Sequence, residues 1–211
     1  MKKTINYMTT CAILVAIICV LGGISIPIGP VSITLATLGV YLVGCLIKPK
    51  YALLVIACYI ALGAMGLPVF SNWSGGIAKL IGPTGGYILG YLVCVLVQSM
   101  IITRFKNKLW VYFLATLFGT VFIYFFGTLY FMVSTNNFNL GPVLMVTMVP
   151  FLPLDTVKII VAPLVSYKLR NVLDKQLGEA EGNKLVNKTI VNETKYIKKI
   201  IPIHKLNRDF I

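Results

Sequence analysis

The sequence predicts an all-α integral membrane protein with six transmembrane helices and both termini cytoplasmic. Three observations carry that prediction. First, 58% of the 211 residues are hydrophobic and 12% are charged, about half the charge of a soluble domain. Second, six apolar segments recur along the chain at roughly 8–24, 31–47, 51–66, 84–103, 109–132 and 143–167. Third, lysines and arginines fall in alternate connections between these segments. The mean hydropathy of +0.88 agrees with the first point.

A helix needs about 20 apolar residues to cross about 30 Å of hydrocarbon. Five of the segments approach that length, and 51–66 is short for a span. No segment shows the strict alternation of a β-barrel strand, so the long runs read as helices. The first segment is long and lacks a small-residue cleavage site, so it reads as a span rather than a cleaved leader.

Basic residues set the orientation. Lys2 and Lys3 precede the first segment, and Lys48 and Lys50 separate the second and third. Arg104, Lys106 and Lys108 separate the fourth and fifth, and Lys168 and Arg170 follow the sixth. The other connections carry only Lys79. Positive connections stay in the cytoplasm, so the loops 25–30, 67–83 and 133–142 are expected outside. Residues 1–170 then form a membrane domain holding eleven basic residues and one acid. Residues 171–211 form a basic cytoplasmic tail whose interleaved lysines and apolar residues fit an amphipathic surface helix or a disordered segment.

The cysteines Cys11, Cys19, Cys45, Cys58 and Cys94 all lie in apolar segments without metal-ligand spacing. They read as packing residues. No metal site and no nucleophile–histidine–acid set is expected in the membrane domain, since the one histidine is His204 in the tail. No enzyme activity, cofactor or nucleic-acid partner is therefore expected.

Two features point to a ligand site. Residues 66–87, GLPVFSNWSGGIAKLIGPTGGY, form an external loop rich in glycine. Irregular backbone at membrane depth is tolerated where protein buries it or water solvates it. Phe70, Trp73 and Tyr87 offer flat walls, and Ser71, Asn72, Ser74 and Thr84 offer hydrogen bonds. Gly75, Gly85 and Gly86 allow close backbone approach. The plain alternative is an interfacial loop with an aromatic anchor.

The second feature is Asp155, the one acid in the first 173 residues, followed at i+3 by Lys158. A charge inside a span costs about 2.5–3.5 kcal/mol on insertion scales. The i+3 spacing puts both side chains on one face. The pair is either a structural ion pair or a polar reader facing a cavity. Asp155 lies 13 residues before Lys168, about 20 Å along a helix, which places it on the same side of the membrane as the glycine loop. Pro150 and Pro153 break helical pairing just before it.

GLPVF, the following SGG, GPTGGY and the later P-x-D-x-x-K resemble the BioY family, substrate-binding S components of energy-coupling factor transporters for biotin. The resemblance covers about residues 8–170, and the 171–211 tail lies outside it. It implies high-affinity biotin capture in a prokaryotic plasma membrane, with Asp155 and Lys158 reading the ureido ring. Some relatives carry Arg after GGY where this chain has Ile88, which makes Lys79 a candidate for the ligand carboxylate. IPIGPVSITLATLGVYLVG also resembles the family, with Ala36 where relatives often have Gln. The resemblance further implies that Ala12 and Ala16 form the contact with a transmembrane coupling subunit. Two ATP-binding subunits would supply the energy, since no P-loop is present here. A proton-coupled secondary transporter, an intramembrane enzyme and a non-transporting assembly protein are the rival readings.

Overall fold

The computed structural model describes residues 2–28, 31–105 and 108–170. Residues 171–211, expected as a tail, and Lys106, expected in a cytoplasmic connection, lie outside the described residues.

Helix α1, Lys2–Gly23, contains an 18-residue apolar window long enough to cross a membrane. It leads into a two-stranded antiparallel hairpin, β1 (Ser25–Ile28) and β2 (Val31–Thr34), with Ile26 opposite Ile33 and Pro27 opposite Ser32. This corrects the all-α expectation: the chain is mostly helical, with one small hairpin. β-Branched residues favour pleated strands, and Pro27 needs no ladder donor on the outer edge of a two-stranded ribbon. Val31 and Ile33 are buried while Ser32 and Thr34 are partly open, the period of two that a half-buried strand requires.

The hairpin takes residues 31–34 out of the expected second span. What remains is α2, Ala36–Leu46, of 11 residues, about 17 Å long. Helix α3, Pro49–Ala64, has 16 residues and opens with proline in its first turn, where the missing N–H costs nothing. A short 3-10 turn, Ser71–Trp73, and the one-turn helix α4, Ile77–Ile81, follow in the glycine-rich loop. Helices α5 (Gly85–Phe105) and α6 (Leu109–Thr135) are both long and apolar enough to span. Helix α7, Leu140–Thr147, and helix α8, Leu152–Arg170, are bent by 52° at a break that contains Pro150. The described residues thus hold three helices of spanning length, or four spans if α7 and α8 count as one.

Helix α5 is the most buried of the long helices. It packs along α6 and against α2 and α3. The α5–α6 seam is close because Gly90 of α5 faces the backbone of Ile123, and Gly127 of α6 faces the Tyr87 ring. Small residues let helices approach closely in lipid, where packing rather than water drives association. This bundle sets the floor and one wall of the site described next.

Candidate functional site

Asp155 falls in the first turn of α8, directly after the bend, and its backbone N–H donates to the Phe151 carbonyl at 2.9 Å. A carboxylate there meets the positive end of the helix dipole. That eases the burial of a charge, which the sequence alone left at the full mid-helix cost. Asp155 is 5% exposed and Lys158 4% exposed.

The pair is made, and it is enclosed by further partners. Lys158 Nζ donates to Asp155 Oδ1 at 2.8 Å, to Thr37 Oγ1 at 2.9 Å and to the Thr34 carbonyl at 2.8 Å. An ammonium has three donors, so all three are committed. Tyr124 of α6 donates its phenol to Asp155 Oδ2 at 2.7 Å. Thr37 Oγ1 also lies 3.5 Å from Asp155 Oδ1. A carboxylate offers about four lone-pair positions. Oδ1 is therefore filled, while Oδ2 keeps one acceptor position open. Hydrogen bonds to both ions of this kind are what let an ion pair stay buried.

The pair lies at one wall of a cavity between the hairpin, the external loop and helices α2, α3, α5, α6 and α8. Only about 60 Å³ of it can be reached by the centre of a water molecule, so the walls stand close together. Aromatic side chains supply those walls. Tyr87 and Phe151 stack at 6.2 Å between centroids, and Tyr59 meets Phe70 edge-on at 5.5 Å. Tyr87 is held by donating to the Thr147 carbonyl at 2.8 Å, and Tyr59 by donating to the Val69 carbonyl at 3.1 Å. Apolar faces with few fixed polar groups are the usual make-up of a ligand pocket.

The structure brings Asp155, Lys158, Lys79 and Tyr87 to this one cavity. It places the other loop residues around it. Asn72 ties the loop to the hairpin: its backbone N–H donates to Ser25 Oγ at 2.6 Å, and its carboxamide meets Ser25 at 2.8 Å and Ser32 at 3.3 Å. Trp73 is 56% exposed and its ring lies against Gly23. Ser74 closes the turn by donating to the Ser71 carbonyl at 2.6 Å. These three are not among the residues that line the cavity, whereas Phe70 and Ser71 are.

The glycines act through the backbone. Gly76 has φ of +97° at the start of α4, a region costly for any side chain. A Cβ on Gly86 would strike the Phe126 carbonyl and Tyr130, so only glycine lets α5 begin against α6 there. Gly85 meets Leu80, and Gly75 meets Gly66 and Leu67, in the same way.

Thr34, Thr37, Tyr91 and Tyr124 are site residues that sequence reasoning missed. Thr34 and Thr37 both sit in SITLAT, beside the polar entry to α2. Their i+3 spacing was the available signal. Tyr124 gave none, being one aromatic in a long apolar run. Ala12 and Ala16 are exposed on one face of α1, clear of the cavity. No group of three or more metal-ligating side chains occurs among the described residues.

Comparison with known proteins identifies the family. The sequence profile of the BioY family matches residues 1–175. A protein named biotin transporter BioY from Thermotoga maritima is 36% identical over 160 residues, covering 76% of this chain and 93% of its own. A probable biotin transporter BioY from Pyrococcus horikoshii is 36% identical over 159 residues, covering 75% and 93%. The crystal structure of the S-component for biotin from an ECF-type ABC transporter superposes with a TM-score of 0.75 at 28% identity, covering 81% of this chain and 93% of that one. Family profile, relatives and fold together make this chain a member of the BioY family.

Proposed function

We propose that this protein captures biotin from outside the cell as the substrate-specific S component of an energy-coupling factor transporter. The observation that carries it is the buried Asp155–Lys158 pair at the wall of an aromatic cavity, with one acceptor position still open on Asp155 Oδ2. A ureido N–H fits that acceptor. The ureido carbonyl reaches Lys158 by replacing one of its threonine acceptors. Thr37 yields at least cost, because its hydroxyl already donates to Asp155 Oδ1 at 3.5 Å and keeps that partner. Tyr59, Tyr87, Tyr91 and Phe151 would enclose the thiophane ring and valeryl chain. The proton-coupled reading is weaker, because Asp155 is already paired at 2.8 Å. The relatives are named as transporters, so the chain is a transport protein rather than an enzyme.

The working unit would be a membrane domain of residues 1–170 with a cytoplasmic tail of residues 171–211, multi-pass in a prokaryotic plasma membrane. Six crossings with both termini inside follow from the basic connections if α2 and α3 cross with help from their flanks. A cysteine at Asn72, in a background without the five native ones, is then expected to react with an impermeant maleimide from outside. A cysteine at Lys106 is expected to react only after permeabilisation. The reverse pattern would invert the topology.

Energy would come from a transmembrane coupling subunit and two ATP-binding subunits. Ala12 and Ala16 present a small, exposed face on α1 for that coupling subunit. One preparation tests capture and docking together. The parent is co-expressed with a coupling subunit, and so is a variant carrying Ala12→Leu and Ala16→Leu. Each is purified, denatured and analysed by mass spectrometry. Biotin is expected from both, and the coupling subunit only with the parent. No biotin from either would remove the function, and a subunit retained by the variant would remove the docking face.

A further inference from the structure

We infer that Lys79 anchors the carboxylate of the ligand, an assignment that rests on the biotin reading and extends it. Three charged side chains line the cavity. They are Asp155, Lys158 and Lys79. One carboxylate and two ammoniums leave a surplus of one positive charge, which complements a monoanion. The two ammoniums differ in availability. Lys158 donates to Asp155, Thr37 and Thr34, and the one donor that Thr37 releases goes to the ureido carbonyl. Among the described residues, no hydrogen bond or ion pair engages the Lys79 side chain.

Placement makes Lys79 usable. Its helix α4 is pinned from below: Tyr130 of α6 hydrogen-bonds the Leu80 and Ile81 carbonyls at 3.4 and 3.1 Å. The stem therefore starts from a fixed backbone, while the ammonium at its end is free to turn. Lysine provides this combination, a compact point charge with rotatable donors on a flexible chain. The side chain is half-buried at the cavity, where a charge is screened less than in open water.

The ligand's own chemistry sets the direction. A molecule whose N–H groups meet Asp155 must hold its carboxylate away from that like charge. The tail then points toward the other charged lining residue, which is Lys79 on the external loop. In this arrangement Asp155 reads the donor end and Lys79 reads the anionic end. The cavity selects molecules that carry both.

Binding of biotin and of biotin amide, whose carboxylate is replaced by a neutral carboxamide, tests the assignment. Both are measured by calorimetry on detergent-purified parent, Lys79→Met and Lys79→Arg proteins. The parent is expected to favour biotin by roughly tenfold or more, the scale of one charge-assisted hydrogen bond. Lys79→Met is expected to lose that preference while keeping its affinity for the amide. Lys79→Arg is expected to retain it. The amide thus reports folding of each variant. A parent that does not discriminate overturns the inference. So does a Lys79→Met protein that keeps the preference, or that weakens both ligands equally. A folded parent that binds neither ligand fails the biotin reading itself.

Discussion

Lys158→Met is expected to destabilise the protein by about 3–5 kcal/mol, the cost of removing one partner of a buried pair. The reason is the number of groups that Lys158 satisfies. Its ammonium neutralises Asp155 and occupies the Thr34 carbonyl and the Thr37 hydroxyl. Those acceptors belong to β2, α2 and α8, so one side chain joins the hairpin and two helices. At about 2–4 °C per kcal/mol for a chain of this size, the melting midpoint in detergent should fall by roughly 6–20 °C. Light-scattering or fluorescence melts check this. A change of less than a degree or two would mean that the ammonium does not hold these elements together.

A second substitution separates stability from recognition. Asp155→Leu combined with Lys158→Met removes both charges and leaves apolar groups of similar size. Replacing a buried pair in this way is often neutral or stabilising. The double variant is therefore expected to melt near the parent while binding no ligand. Recovery of binding together with stability would make the pair structural alone.

How much of this was legible beforehand differs by residue. Asp155 and Lys158 stood out because a charge in an apolar run is costly enough to demand a reason, and i+3 spacing fixes their common face. The bend between α7 and α8 was legible from Pro150 and Pro153, since proline removes a helical donor. The hairpin was not. SITLATLG runs without a break from β2 into α2, and an apolar run has no period by which to tell strand from helix. The strand appears because Ile26 and Ile33 pair across the turn, a contact that local pattern does not encode. Tyr124 and Thr37 were hidden for a related reason. They meet Asp155 from 31 and 118 residues away in the chain, and only tertiary folding brings them there. Asn72 and Trp73 were legible as loop residues with useful side chains, but not in their direction. Their positive φ values of 58° and 52° turn them toward the hairpin rim.

Asp155→Asn should weaken biotin binding by roughly 10–150-fold, and it also leaves the buried Lys158 ammonium without its counter-ion, so a melt of the same sample separates lost binding from lost stability. The asparagine keeps the volume of the side chain. Its carbonyl can still accept from Lys158, as Oδ1 of the carboxylate does at 2.8 Å. The nitrogen then falls at the Oδ2 position, which both Tyr124 and a ureido N–H would address. A donor there faces donors, so the ligand contact is lost while the lysine contact survives. One hydrogen bond to a charged group contributes about 1.5–3 kcal/mol, and 1.4 kcal/mol is a factor of ten in affinity. Turning the amide over would restore the ligand acceptor but set nitrogen against the Lys158 ammonium, which the 2.8 Å contact disfavours. Titration calorimetry with biotin, beside a melt of the same sample, checks both halves. The loss should be equal for biotin and for its amide, because the change lies at the ureido end and not at the carboxylate. A well-folded Asp155→Asn protein that binds biotin as tightly as the parent would leave Asp155 as a partner for Lys158 and nothing more.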